Sequence, residues 1–277
     1  MNQPGVHSHL FRGSPSAVAD ACRGHGLACV QLTPSFPGLS FQEPGQITAE
    51  RCRLVVEPFA AAGVTIACLS GYTCLMDPNL DRRHRGIIRL HALLRHCRDF
   101  NTCYLVTETG SLSPKSPWAP YPPNRSREAW TELRLIVADA LRVATDHGAT
   151  LLLKAECTHV LATVEDCTRL HEELDHPSLG FVMDPVNFLV ESSPSELRVD
   201  LERVLERLGS CAPVVHAKDI HFEGGEVAMP RAGRGVLDYG HFFQLLRRYQ
   251  PDAPVILEHL RPEEVGETKA YVERARS

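Results

Sequence analysis

The segment TLLLKAE, residues 150–156, is a short apolar run that closes on two polar side chains. Successive side chains of a strand point to opposite faces, so Lys154 and Glu156 share one side of it. Seven further runs have the same character: GVHS (5–8), LACVQL (27–32), VTIACL (64–69), TCYLVT (102–107), LGFVMD (179–184), PVVHAKD (213–219) and PVILEH (254–259). Runs this short and this continuous in Val, Ile and Leu suit parallel strands covered on both faces better than half-exposed antiparallel ones.

Amphipathic stretches lie between them. Ser14 before Pro15 is a cap followed by a proline at the first helical position. Ser193-Pro194-Ser195-Glu196 has the spacing of a capping box ahead of LRVDLERVLERLG. Helical patterns also fill 79–98, 125–147, 163–175, 238–249 and 262–276. This alternation predicts an α/β fold, either a closed (β/α)8 TIM barrel or a doubly wound sheet. Loop lengths favour the barrel. Helix-to-strand links are brief, as in Ala62-Gly63, whereas TPSFPGLSFQEPGQ (33–46), TGSLSPKSPWAPYPPN (109–124) and IHFEGGEVAMPRAGRG (220–235) follow strands. Active sites of such barrels are built on the loops that follow the strands. Residues 1–277 are therefore expected to form a single TIM-barrel domain.

Composition agrees with a packed enzyme. Hydrophobic residues make up 43% and charged residues 23% of the 277. The 29 Lys and Arg against 34 Asp and Glu give a net charge of −5, the wrong balance for a surface that grips phosphate backbones. No run approaches the ~18 apolar residues of a membrane span, and MNQPGVHSHLFRGSPS lacks the layout of a signal peptide. The ten cysteines form no CxxC pair and suit buried free thiols in a reducing compartment. The expected protein is soluble and cytoplasmic, and its partner a small carbohydrate or polyol rather than nucleic acid or membrane. Homo-oligomerisation is left open.

Four late strands end in metal-binding residue types: Glu156, Asp184, His216 and Glu258, spaced 28, 32 and 42 residues apart, about one βα unit each. On neighbouring parallel strands, three carboxylates and an imidazole would converge on one rim. Carboxylates gathered there repel unless a cation or protons neutralise them. An oxygen-rich set with one imidazole suits one divalent ion, Mn²⁺ first, with Mg²⁺, Co²⁺ or Zn²⁺ as alternatives.

These segments give the chain a resemblance to the sugar phosphate isomerase/epimerase family of xylose isomerase-like TIM barrels. It extends from VHSHLF through LSGYTCLMDP, VTETGSL, KAE, MDPVN and HAKD to RAGRGVLDYGHFF and ILEHL. Its most specific part is the ligand series with HAKD followed by Gly233-Arg234-Gly235-Val236-Leu237-Asp238. The resemblance implies that Glu156, Asp184, His216 and Glu258 hold the metal, with Glu156 and Glu258 also the catalytic acid/base pair. Many family epimerases carry His where this chain has Asn187, which can hydrogen-bond a substrate hydroxyl but cannot carry a proton.

Further candidates for substrate contact are Lys154, Glu108, His7, His9, Lys218, Asp219, Arg234 and Trp118. Lys154 would neutralise carboxylates or meet an anionic substrate. Glu108 would bind a hydroxyl or pair with Lys154. Lys218 and Asp219 are expected beside His216, orienting it or a hydroxyl. Arg231 and Arg234 stand on an outgoing loop where an anionic group of the substrate would dock. Trp118 would stack on a sugar in a loop stiffened by five prolines.

The activity expected is isomerisation or epimerisation by proton transfer through an enediolate. The alternative is a dehydratase of a cyclic polyol keto-compound, similar to an inosose dehydratase. An abasic-site endonuclease and a non-catalytic binding barrel rank behind these, because the charge is acidic and all four ligand positions are filled.

Overall fold

The computed structural model describes residues 4–276. Strands and helices alternate as β1 (Pro4–His7), α1 (Pro15–Gly24), β2 (Cys29–Leu32), α2 (Ala49–Ala61), β3 (Thr65–Ser70), α3 (Leu80–Arg95), β4 (Tyr104–Glu108), α4 (Arg127–Asp146), β5 (Thr150–Lys154), α5 (Val164–Leu174), β6 (Leu179–Met183), α6 (Leu197–Leu208), β7 (Val214–Ala217), α7 (Tyr239–Tyr249), β8 (Val255–Leu257) and α8 (Val265–Arg276). The eight strands pair in sequence order, and β8 closes on β1 in parallel through Pro4–Val255, Gly5–Ile256 and Val6–Leu257. This is the (β/α)8 barrel that the eight apolar runs predict.

Strand alternation divides each strand between two cores. In β5, Leu151 and Leu153 pack outward against the helices, while Leu152 joins Cys29, Cys68, Val106, Val182, Val214 and Ile256 in a separate cluster. That second cluster is the floor of the barrel interior. Gly5 completes the layer on β1, because an added Cβ would stand 2.4 Å from the Cys29 carbonyl oxygen.

Ser14 caps α1 by accepting from the Ala17 amide, as expected. The helix α2 is one that the sequence patterns do not mark. Pro58 lies inside it, and Thr48 caps it by accepting from the Arg51 amide. Only half of the capping box at 193–196 forms, with the Glu196 carboxylate accepting from the Ser193 amide at 3.2 Å. The helix α6 starts at Leu197, and the Ser193 hydroxyl donates to the Glu196 carboxylate at 2.6 Å. Spent on each other, these side chains leave the first turn of α6 without a side-chain cap. The long loops add two small antiparallel ribbons, one of them pairing His221–Glu223 with Glu226–Ala228. Its turn is Gly224-Gly225, both at positive φ, as a two-residue hairpin turn requires. No disulfide joins the described residues, and no helix among them is long and apolar enough to cross a membrane.

Candidate active site

Two residues beyond each position of the barrel floor stands one buried polar side chain: His7, Gln31, Ser70, Glu108, Lys154, Asp184, His216 and Glu258. Every strand thus contributes one polar group to a single layer at the carboxyl-terminal rim. On β5 that group is Lys154. Glu156 lies past the end of β5, one alternation farther along the chain.

Glu258 joins the two sides of the rim. Its Oε1 is 2.8 Å from His7 Nε2 and 2.9 Å from His216 Nδ1, the second contact without hydrogen-bond alignment. Its Oε2 is 3.1 Å from Lys154 Nζ. Burial works to raise the Glu258 pKa, but the charges of His216 and Lys154 and the bond from His7 override it and hold the carboxyl well below its usual range.

Lys154 is the second hub. Its ammonium lies 3.5 Å from Glu156 Oε1, 3.2 Å from Asp184 Oδ2 and 3.1 Å from Glu258 Oε2. Burial opposes its charge, yet Glu258 and Asp184 hold its pKa well above the ordinary value. Lys218 Nζ approaches the same Asp184 oxygen at 2.9 Å. Neither Asp184 oxygen forms an aligned hydrogen bond.

The orientation of His216 comes from Gln31. The amide nitrogen of Gln31 donates to Ser70 and Tyr72, each at 3.0 Å, which leaves Oε1 facing His216 Nε2 at 2.7 Å. An amide oxygen only accepts, so Nε2 carries a proton. His216 Nδ1 then faces a carboxylate oxygen, and that gap calls for a cation, either a second proton or a metal ion.

The ligand atoms of His7, His216 and Glu258 lie within 4.8 Å of one another. Nδ1 of each imidazole is buried without a hydrogen bond. This donor set fits a divalent ion. Glu156, Asp184 and Glu258 all meet the Lys154 ammonium, and Glu258 also meets His216, so the four expected ligands share one rim with Lys154 among them.

A cavity of about 310 Å³ opens over the rim, lined by His7, His9, Tyr72, Glu108, Trp118, Lys154, Glu258 and His259. Five expected substrate contacts are among these: His7, His9, Glu108, Lys154 and Trp118. His9 Nδ1 pairs with the Thr33 hydroxyl at 3.1 Å. The Trp118 ring packs on His159 with centroids 5.0 Å apart and lines the cavity. Burial pushes the Glu108 pKa from 4.5 up to about 8, with Lys154 opposing and Glu156 and Glu258 adding to the rise.

Other expected contacts are committed elsewhere. Asp219 is buried, and its carboxylate accepts from the amides of Ile220, Gly233 and Leu237, each at 2.9 Å. Instead of orienting His216, it clamps the loop after β7. Arg234 is exposed and bonded to Glu267, while Arg231 is buried against Glu264, Glu267 and Thr268. Both guanidiniums serve the packing of this loop on α8, and no anion dock is formed. Asn187 donates to the Ala155 carbonyl at 2.7 Å and accepts from Lys218, which fixes the end of β5 rather than lining the cavity.

Gln31, Tyr72 and His259 escaped the sequence reading. Gln31 had a signal, since a polar residue two positions after Cys29 in an apolar strand must face the barrel interior. His259 holds a φ of 56°, a strained position for a residue other than glycine, directly after Glu258.

A family model described as xylose isomerase-like TIM barrel matches residues 19–276. No curated protein sequence matches. Among solved structures, 3-keto-D-glucoside 4-epimerase from E. coli superposes with a TM-score of 0.74 at 17% identity, covering 99% of this chain and 100% of its own. A probable 3-DHS dehydratase, AsbF, from Bacillus anthracis gives 0.74 at 15% identity, covering 100% and 99%. The IOLI protein with a bound zinc atom gives 0.70 at 14% identity, covering 99% and 96%. At these identities the likeness shows the fold.

Proposed function

The chain belongs to the xylose isomerase-like TIM barrel family, and from that premise we propose that it is a divalent-metal-assisted isomerase or epimerase of a sugar or sugar derivative. The observation that carries this reading is the polar rim layer, with a candidate metal group on one side and three carboxylates meeting one ammonium on the other, Glu258 belonging to both. Epimerase and dehydratase folds among the structural neighbours, and the zinc of another, support it.

His7, His216 and Glu258 would hold the ion. When bound, a divalent ion supplies Lewis-acid stabilisation of negative charge developing on substrate oxygens. Glu156 and Glu258 are the proposed proton carriers. Both lie within ion-pair distance of Lys154, so one small substrate spans them. One carboxylate, ionised, takes the proton from the carbon next to the carbonyl and for isomerisation returns it at the neighbouring carbon; for inversion the other enters the step protonated and gives its own proton from the opposite side, the pair regaining its starting state by exchange with solvent. The Lys154 ammonium donates to the developing oxyanion. Trp118 and Tyr72 form apolar walls for the sugar.

A second reading, dehydration of a cyclic polyol keto-compound, is favoured by Glu108. With a pKa of about 8 it is protonated at neutral pH and lines the cavity, where a carboxylic acid protonates a departing hydroxyl. One experiment tests both. Metal-loaded protein is incubated in deuterated water with ketoses, aldoses and inosose-type compounds. Exchange next to the carbonyl supports enolisation, and added loss of water selects the dehydratase. Wild-type protein that does neither across the panel overturns the reading. Glu258→Gln and Glu156→Gln are each expected to abolish turnover while the barrel stays folded.

A further inference from the structure

We propose that Arg85 and Arg89, four residues apart on α3, form a subsite for an anionic group, a phosphate or a carboxylate, at the far end of the substrate. The proposal rests on reading the rim cavity as the site of a sugar-processing enzyme. Anion binding measured without turnover separates its failure from a failure of that reading.

A second cavity, of about 430 Å³, opens between α3 and the loops that follow β2 and β3. Arg85 and Arg89 line it together with Gln42, Thr73 and Tyr72, and Tyr72 also lines the cavity over the rim. The two cavities meet at this one ring, so a ligand in the first can extend a substituent past Tyr72 into the second. Residues four apart lie on one face of a helix. Gly86, between them, lets the loop after β3 close on that face, because a Cβ there would stand 2.1 Å from Thr73 Oγ1.

What marks these two guanidiniums is the lack of a carboxylate partner. The buried arginines of the described residues, Arg83 and Arg231, are spent on Glu132 and on Glu264 and Glu267. Among the same residues the half-buried Arg89 side chain bonds only the Phe41 carbonyl, through Nε at 3.1 Å, and the Arg85 side chain bonds nothing. No acidic group offsets the burial that holds the Arg89 pKa below its ordinary value. Like charges four apart on a helix repel each other, and a guanidinium drawn from water without a partner is costly. An oxyanion relieves both at once, since the guanidinium fork matches phosphate and carboxylate alike. Glu43 is the single carboxylate of the lining and is exposed, so the two arginines leave the cavity with a positive balance.

The test uses the full chain and two probes, inorganic phosphate and acetate, each titrated by NMR line broadening; the tighter of the two names the anion. Arg85→Gln and Arg89→Gln are each expected to lower that affinity by at least ~10-fold, the worth of one charge-assisted hydrogen bond. Arg89→Lys should keep part of it, because the charge stays while the fork is lost. Arg234→Gln removes an equal charge outside this cavity and should stay within ~2-fold of wild type, as a distant exposed charge is screened. Exchange in deuterated water then places the anion on the substrate. Sugar phosphates or sugar acids are expected to show a KM at least ~10-fold below that of the parent sugars, and Arg89→Gln to erase the difference. Wild type that binds neither anion overturns the proposal, as do Arg85→Gln and Arg89→Gln that bind as wild type does. Equal KM values for anionic and neutral sugars overturn it too. A chain that exchanges no sugar sinks the enzyme reading, while the titrations still decide whether these arginines hold an anion. Should circular dichroism show that Arg89→Gln does not fold, Arg85→Gln decides, since that side chain is exposed.

Discussion

The Lys154 ammonium reaches across the barrel from β5 to Glu258, just beyond β8, and the two meet at 3.1 Å with both side chains buried. An ion pair in that position links the strand ends through the interior of the rim rather than along its edge. Removing the ammonium leaves the buried carboxylates of Glu258, Asp184 and Glu156 without the cation they share. Lys154→Met is therefore expected to destabilise the protein by about 3–5 kcal/mol, read from urea unfolding. The double variant Lys154→Met with Glu258→Gln should recover part of that loss, because one of the uncompensated carboxylates is gone. Additive losses would show that the pair does not couple.

Glu108 makes stability depend on pH. Its native pKa of about 8 lies above the 4.5 of the exposed side chain, so between those values the folded state binds more protons than the unfolded state. The associated stability is fully present below 4.5 and is lost as pH rises through about 8. Glu108→Gln cannot ionise, so its urea midpoint should vary less than that of wild type across this window. Identical pH profiles would acquit Glu108.

Gln31 touches no expected metal directly, yet it sets which nitrogen of His216 carries the proton. Gln31→Leu should weaken Zn²⁺ binding by about 10–100-fold, the usual effect of losing the partner that orients a metal-binding histidine. Unchanged zinc affinity with a folded barrel would show that His216 needs no such support.

Gly5 sits where β1 and β2 come closest on the floor. The Cβ of Gly5→Ala would meet both the Cys29 carbonyl oxygen at 2.4 Å and its sulfur at 2.6 Å. The backbone oxygen cannot swing away as a side chain can, so thermal unfolding should show a loss of about 3 kcal/mol, the upper end of the cost of overpacking. A melting temperature equal to that of wild type would mean the strands separate freely there.

Much of the rim was legible in one dimension. Glu258, His216 and Asp184 sit at inward positions at the ends of apolar strands, and Lys154 and Glu108 announce themselves by the same parity. The helix α2 was harder to see because Pro58 interrupts its pattern. Arg231 and Arg234 misled because a glycine-bounded loop looks the same whether its arginines face a ligand or, as here, acidic residues of α8 and the turn before it.

Sequence alone determined the barrel, because strand parity and βα alternation are local and repeat eight times. It also determined that one rim would be crowded with charge. Which charges neutralise which was decided only by the tertiary structure. Spacing along the chain does not distinguish Glu156 from Lys154, two residues apart with the same strand parity. Closing the barrel brings Lys154 within ion-pair distance of Asp184 and Glu258, and brings His7 from the first strand beside His216 from the seventh. Electrostatic partnership falls off with distance in space, and the closing pair β1 and β8 joins the two ends of the chain.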